Sequence, residues 1–494
     1  MKILVATFLV AASFAALPAG AQTSTPVTTN NGTPPSPPAT PLPSAPTVPL
    51  SPAVPGVTMP GVQTPTTTAP APVQQLPPQL STPVVPPNAP SLTIGQAEQL
   101  ALQRNPRVSI ARLLALAEGQ VTREQRAAEL PTLAGETTAV GADNGTRITA
   151  GALNNPVLYQ RAAAGVTLNQ LITDFGRTRN LVSQASLNAQ AAASTLQATR
   201  DDIIFAVDEA FYRALGAQAL IRVATQTVNA RQTTANQIQA LANARLRSTL
   251  DVSFANAQLA QAQLLLLDAR NQSVTAQADL SALLGDDRST VYRLVDETPA
   301  APPTPPADAV PLVQQAFTQR PDLKSLQQQA DAAHHFATAE KDLSLPTITA
   351  LGAAGDAPWR ADQIGSGTYG AAGVNVNIPI FNGFLYTARA QEAKLRAGAA
   401  DQQVVQLRDT IARDVTTTVL QAQDNFNRIG VAQQLLSQAN SALSLAQTRY
   451  NLGLSSIVEL SDAELLQTQA EIELANARYA YQGSLSAIRY QIGQ

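Results

Sequence analysis

Twice in this chain a short run of alternating apolar residues leads into a break and then into a very long stretch without proline. The second copy opens as GVNVNIPIFNGF from Gly373, with Val374, Val376, Ile378 and Ile380 on alternate positions. Strict alternation specifies a strand with one apolar face and one wet face. Pro379 restricts that strand to a place where no ladder hydrogen bond need be donated. Asn382-Gly383 ends it, and a helical pattern without proline follows as far as Gln494. The first copy, GVTLNQLI from Gly165 to Ile172, alternates through Val166 and Leu168, breaks at Asp174-Phe175-Gly176 and meets no proline before Pro299. A strand feeding so long a helix, used twice, is the pattern of a chain that enters a membrane as β-structure and stands off from it as α-helix.

The two copies belong to a whole-chain duplication. Asn105-Pro106 matches Arg320-Pro321, and Leu130-Pro131 matches Leu345-Pro346, both at an offset of 215. Gly165-Val166 with Gly373-Val374, Arg200-Asp201 with Arg408-Asp409, Asp251-Val252 with Glu459-Leu460, and Gly285 with Gly493 all stand at 208. Ordered matches of this kind identify one supersecondary unit used twice. The units span 92–297 and 312–494, joined by a proline-rich linker over 298–311 (PAAPPTPPADAVP from Pro299). Each runs helix, strand, loop, strand, long helix, tight turn, helix. The first long helix is expected from about Arg177 to Arg247, roughly 105 Å at 1.5 Å per residue. The flanking helices sum to nearly that length and could stack end to end beside it.

In the last helix Val458, Leu465, Ile472 and Tyr479 recur every seven residues, and so do Leu460, Gln467, Leu474, Tyr481 and Ile488. The first-half equivalents are Leu250, Ala257, Leu264 and Val252, Leu259, Leu266. A seven-residue spacing is a coiled-coil seam, and two seams per helix suit a ring of neighbours rather than a simple pair. The strands, two per half and about ten residues each, are long enough to cross an outer membrane when tilted. Four strands cannot close a barrel, and an open edge cannot sit in lipid with its N–H and C=O groups unpaired. Closure therefore demands several chains, and three would give twelve strands around a lumen. Phe175, Phe381, Phe384 and Tyr386 cluster where strand meets helix, as an aromatic girdle or as ordinary junction packing.

The N-terminus carries Lys2, an apolar stretch over 3–17 and the small-residue motif Ala19-Gly20-Ala21, the layout of a cleaved signal peptide over 1–21. Residues 22–91 form a Pro/Thr/Ser tract with 21 of the chain's 35 prolines in 22–90, too poor in apolar side chains to offset the entropy of ordering. With no cysteine there is no disulfide framework, no thiolate metal site and no lipidated N-terminal cysteine. A net charge of −3 gives no electrostatic case for nucleic acid. No run of 18 apolar residues suggests a membrane helix.

The tip RYNLGLSSIVELSDAE (Arg449 to Glu464), the closing LANARYAYQGSLSAIRYQIG and the first-half stretch LDVSFANAQLAQAQLLLLDARNQ (Leu250 to Gln272) resemble the TolC-like outer membrane efflux protein family, over residues 92–494. The resemblance implies an α+β membrane protein: a trimeric outer-membrane β-barrel, four strands per chain, continued by a long α-helical coiled-coil barrel built from the two tandem repeats. It implies a homotrimer serving as the passive exit duct of a tripartite efflux or type I secretion system, reaching into the periplasm. An inner-membrane transporter and a periplasmic adaptor protein are the implied partners, with no cofactor. It places the helical tips at Leu246–Asp251 and Leu452–Ser456, with Leu246, Ser248, Leu250, Leu452, Gly453, Leu454 and Ser455 as adaptor contacts. Glu459 and Asp462 match an acidic ring at the periplasmic entrance; Asp251 and Tyr450 match residues that hold it shut. Ser455 stands where an arginine is expected, so a salt-bridge lock on Asp251 is in question. The first tip is read as four residues shorter than the second, making unequal adaptor footprints. Independently of the family, Glu459 and Asp462 at i and i+3 share a helix face, and three-fold copies would gather six carboxylates that attract cations.

Other motifs carry less. Asp174-Phe175-Gly176 has no kinase context and reads as a turn. His334-His335, adjacent on a helix, point about 100° apart and suit a structural or surface role rather than a metal site. Asn144-Gly145-Thr146 reads as a turn in the strand-linking loop rather than a glycosylation site. No nucleophile–base pair or phosphate loop suggests an enzyme. The competing reading is a non-channel periplasmic coiled-coil adaptor or envelope spacer whose strands form a soluble sheet.

Overall fold

The structure is a computed structural model that describes residues 86, 89–143, 160–288, 290–299, 301–360 and 367–494. The signal-like N-terminus, most of the Pro/Thr/Ser tract and the Asn144-Gly145 loop lie outside the described residues. In order the elements are β1 (Ser91–Leu92), α1 (Ile94–Arg104), α2 (Pro106–Ala127), β2 (Thr132–Val140), β3 (Arg161–Thr173), α3 (Arg177–Asn243) and α4 (Thr249–Leu283). The second half follows as β4 (Arg293–Leu294), α5 (Val310–Gln319), α6 (Pro321–Asp342), β5 (Thr347–Arg360), β6 (Thr368–Asn377), α7 (Leu385–Asn451) and α8 (Ile457–Ile492). The duplication holds element by element: α2 and α6 have 22 residues each, α3 and α7 have 67 each.

Both long helices start from a sheet–helix junction of two consecutive left-handed residues. These are Phe175 (φ 56°) with Gly176 (φ 112°), and Gly383 (φ 62°) with Phe384 (φ 65°). A bulky residue at positive φ is an outlier, so a phenylalanine is held in a strained backbone at each junction. Asp174 fixes the first by accepting hydrogen bonds from Thr178 N–H (2.7 Å) and Oγ1 (2.5 Å). The tripeptide is a turn, as expected. The strand of the second half ends sooner than the alternation suggested. β6 stops at Asn377, so Ile378, Pro379 and Ile380 lie beyond it: a proline without an N–H cannot extend the ladder.

At mid-length each long helix is flanked by two shorter helices placed end to end. Asn105, which caps α2, donates from Nδ2 to the carbonyl of Leu283 at the end of α4 (2.9 Å). Arg320, before α6, donates to the Gln491 side-chain oxygen near the end of α8 (2.6 Å). Gly285 and Gly493 make both joints possible. Each has positive φ, and a Cβ there would stand 2.8 Å from Arg104 O and 2.9 Å from Gln319 C respectively. The stacking inferred from helix lengths is thus present in both halves.

The interior of the helical layer is mostly alanine, which suits close helix approach. The largest apolar cluster gathers Ile203, Val207 and Phe211 of α3 with Ala97 of α1, Leu280 of α4 and Tyr292. Of the two seams on α8, Leu460, Tyr481 and Ile488 are buried while Val458 and Leu465 stay 48% exposed. One seam is therefore filled within the chain, while the other is open in its tip half and partly covered at Ile472 and Tyr479. The linker is ordered as a strap on α7 and α8. Tyr479 Oη donates to Asp296 (2.7 Å), Tyr481 Oη to the Pro303 carbonyl, and Gln423 Nε2 to the Pro306 carbonyl (2.7 Å).

The four long strands form one antiparallel sheet in the order β2-β3-β5-β6. Its outer strands β2 and β6 each pair on one side only. The pairing register assigns every residue to a face. Leu133, Leu168, Val166, Val374, Val376 and Ile348 share one face; Thr132, Asn169, Thr167, Glu136, Asn375 and Thr349 share the other. Leu351, Leu171 and Val140 are apolar exceptions on the second, and Asp356, paired with Ala164, is a charged exception on the first. Every residue of β6 is exposed on both faces.

Candidate functional site: the two helical tips

Far from the sheet, the two helix-turn-helix tips are built alike. After α3, Arg245 turns left-handed (φ 62°); after α7, Gly453 does the same (φ 74°). Leu246 N–H then closes on Leu241 O (2.9 Å) and Leu454 N–H on Arg449 O (2.8 Å), the six-to-one closure of a Schellman motif. Ser248 and Ser456 cap the next helices, Ser248 Oγ accepting from Leu250 N–H (2.9 Å) and Ser456 Oγ from Glu459 N–H (3.3 Å). Asp251 completes a capping box by accepting from Ser248 N–H (3.4 Å).

The connections span 244–248 and 452–456, in register at 208. The expectation of a shorter first tip is therefore corrected, and the first turn begins two residues before Leu246. Gly453 advertises its turn in the sequence; Arg245 occupies the same left-handed position without glycine and hides it. Leu246, Leu250, Leu452 and Leu454 are all exposed by 68–73%. Ser248 and Gly453 are exposed and Ser455 is half-buried, its Oγ without a hydrogen-bond partner.

The equal register puts Arg247 opposite Ser455, and the arginine missing from the second tip is supplied by the first. The Arg247 guanidinium lies 4.4 Å over the Tyr450 ring and donates from Nη2 to the Tyr450 carbonyl (3.1 Å). It thereby spans the two tips of one chain through a cation–π contact and a charge-assisted hydrogen bond. Tyr450 is 5% exposed and its Oη has no partner. Burial pushes its phenol up, the Arg247 charge opposing and the Asp251 charge adding. Asp251 serves its own helix cap, and no salt bridge joins it to Arg247 among the described residues. Within the chain, Arg247 thus holds Tyr450 rather than the Asp251 carboxylate.

Glu459 pairs with Arg449 across the second tip (3.3 Å), both about half exposed. Asp462, one turn on, is exposed. Such an exposed pair contributes at most about 1 kcal/mol, so Glu459 is an exchangeable carboxylate rather than a fixed one.

Deeper in, a charged network was not anticipated. Arg231 of α3 and Glu464 of α8 form a salt bridge with side chains only 7% and 9% exposed. Arg231 also donates to Ser461 Oγ (3.4 Å) and Ser461 O (3.3 Å), and Thr234 Oγ1 donates to Glu464 (3.2 Å). Burial lowers the Arg231 pKa and raises that of Glu464, in each case outweighing the partner's charge. The sequence held one signal: Ala224, Arg231 and Ile238 are seven apart, and all three are buried, which puts an arginine in a seam. The repeat equivalents, Ala439 and Asn256, cannot form an ion pair. His334 contacts Asp401 (3.0 Å) and His335 contacts Asn180 (3.1 Å), helix-to-helix links as expected of a structural pair.

Comparison with known proteins decides what carries these tips. The profile of the outer membrane efflux protein family matches residues 98–286 and 312–494, both repeats. The chain belongs to the outer membrane efflux protein family. It is 24% identical over 341 residues to outer membrane protein TolC of Escherichia coli K12, covering 66% of this chain and 68% of that protein. It is 26% identical over 382 residues to the solvent efflux pump outer membrane protein SrpC of Pseudomonas putida, covering 75% and 79%. Among solved structures, that of CusC matches with a TM-score of 0.72 at 18% identity, over 81% of this chain and 92% of that one. The outer-membrane channel OprN matches with a TM-score of 0.70 at 20% identity, over 81% and 89%. As a family member the protein is an outer-membrane efflux channel.

Proposed function

We propose that three copies close edge to edge, β6 of one on β2 of the next, into a twelve-stranded barrel continued by an α-helical tube. The carrying observation is the four-stranded sheet with one apolar face and two half-paired outer strands. Unpaired strand edges are not tolerated in lipid, and single-chain barrels begin at about eight strands. The open seams on α4 and α8 support the same closure: Leu250, Leu264, Val458 and Leu465 are exposed at seam positions. The trimer is a passive duct, with an inner-membrane transporter and a periplasmic adaptor engaging the leucines of both tips. Equal tips give the adaptor six near-equivalent sites, and Glu459 and Asp462 line the entrance. Cargo choice rests with the pump.

The test is fractionation and reconstitution of the purified chain. Extraction from the outer membrane only by detergent, cross-linking to trimers and ion conduction in planar bilayers are expected. Release by osmotic shock, or a detergent-solubilised monomer without conductance, would leave the periplasmic spacer reading instead.

A further inference from the structure

Four residues lie directly across the sheet in one row, Glu136 on β2, Gly165 on β3, Gly355 on β5 and Tyr369 on β6. Paired residues share a face, so all four belong to the face that carries Asn169 and Asn375. The polar run on that face, Thr132, Thr167, Asn169, Thr349 and Asn375 with Glu136, identifies it as the inner one, because the lipid-facing side of a barrel is a predominantly apolar band. Tyr369 is the one aromatic residue on it among the described strand residues. Trp359, paired with Ala162, falls on the opposite, apolar face.

The tyrosine does not stand up from the wall. A Cβ on Gly355 would lie 2.5 Å from Tyr369 Cζ, and one on Gly165 would lie 3.3 Å from the same atom, with the hydroxyl closer still. The ring therefore crosses β5 and ends over β3, occupying space that only glycine leaves open. Aromatic cover of strand glycines is a known way to support a sheet. Here it also decides where the largest side chain on that face goes.

We propose that Tyr369 sets the width of the bore through the membrane, Gly165 and Gly355 forming the recess that holds its ring flat against the wall. The proposal rests on the trimeric barrel, in which symmetry places three such rings at one level. A side chain at position 165 would lift the ring into the passage, and loss of the ring would widen it. Tyr369 is thus a size-determining residue for cargo, acting by its ring rather than its hydroxyl.

The chain has no cysteine, so one introduced thiol reports without background. Asn375→Cys places it on the inner face, nearer the helical end than Tyr369, and maleimides added from the opposite, loop side must pass the ring. With a small membrane-impermeant maleimide, all variants should label alike. With polyethylene-glycol maleimides of increasing mass, Gly165→Ala should slow labelling severalfold and Tyr369→Ala should accelerate it. Tyr369→Phe should match the parent, and Gly165→Ala with Tyr369→Ala should match Tyr369→Ala alone. Unchanged exclusion of the large reagents in Tyr369→Ala overturns the proposal, whatever Gly165→Ala does to assembly. Labelling of Val374→Cys but not Asn375→Cys by the small reagent overturns it by reversing the faces. Absence of trimers in the cysteine variant's parent would instead refute the barrel itself.

Discussion

Arg231→Met deletes one partner of the buried pair between α3 and α8 while keeping a side chain of similar reach. Glu464 then keeps Thr234 but loses its cation, at 9% side-chain exposure. Removing one member of a buried ion pair costs about 3–5 kcal/mol, because the survivor is left charged and desolvated. Replacing both, Arg231→Met with Glu464→Leu, is nearly neutral by the same reasoning. Hydrogen exchange of peptides covering 457–470 reads the effect locally. The single variant should exchange roughly a hundred- to a few-thousand-fold faster, at about 1.4 kcal/mol per tenfold, and the double variant close to wild type. The pH dependence gives a second check. Glu464 is raised above its ordinary value of 4.5, so its charged form is disfavoured in the folded chain. Stability from this group is full below pH 4.5 and is lost as pH rises through the raised value. Without Arg231 the carboxyl rises further, so the cost of Arg231→Met should be largest at neutral pH and vanish toward acid. A cost that ignores pH, or a double variant as unstable as the single, would refute the network as described.

Arg247→Ala should free the first tip from Tyr450 and raise single-channel conductance with trimers intact; unchanged conductance would mean the clamp does not hold the entrance. Glu459→Ala with Asp462→Ala should weaken block by divalent and trivalent cations in planar bilayers, and Asp462→Ala should account for most of it because Arg449 already pairs with Glu459. Leu454→Asp should abolish export in cells while leaving trimer yield unchanged, and retained export would remove the second tip from the adaptor contact.

The large features were legible because each has a periodic or punctuated signature. Period two marked β3 and β6, absence of proline marked α3 and α7, and constant offsets revealed the duplication. Heptads located the seams, though not which would be filled inside one chain. What escaped was local and had no composition cue. The end of β6 was set by the missing N–H of Pro379 rather than by Ile378 and Ile380, which continue the pattern. The first tip turned on Arg245, a residue without turn propensity. Arg231 and Glu464 are ordinary surface types in helices, and only their partners across 233 positions make them a buried pair. The arginine expected at Ser455 stands instead at its repeat equivalent, Arg247, because the two tips are equal in length.

The strap from Asp296 to Ala309 has a mechanical consequence. It leaves β4, near the middle of α3, and is fastened to α8 through Tyr479 and Tyr481 and to α7 through Gln423. Proline-rich backbone of this kind is semi-rigid, so it yields little. It works as a tie between neighbouring staves: within one chain the spacing of α3, α7 and α8 is held at that height, and relative movement of these helices is easiest toward their untied tips.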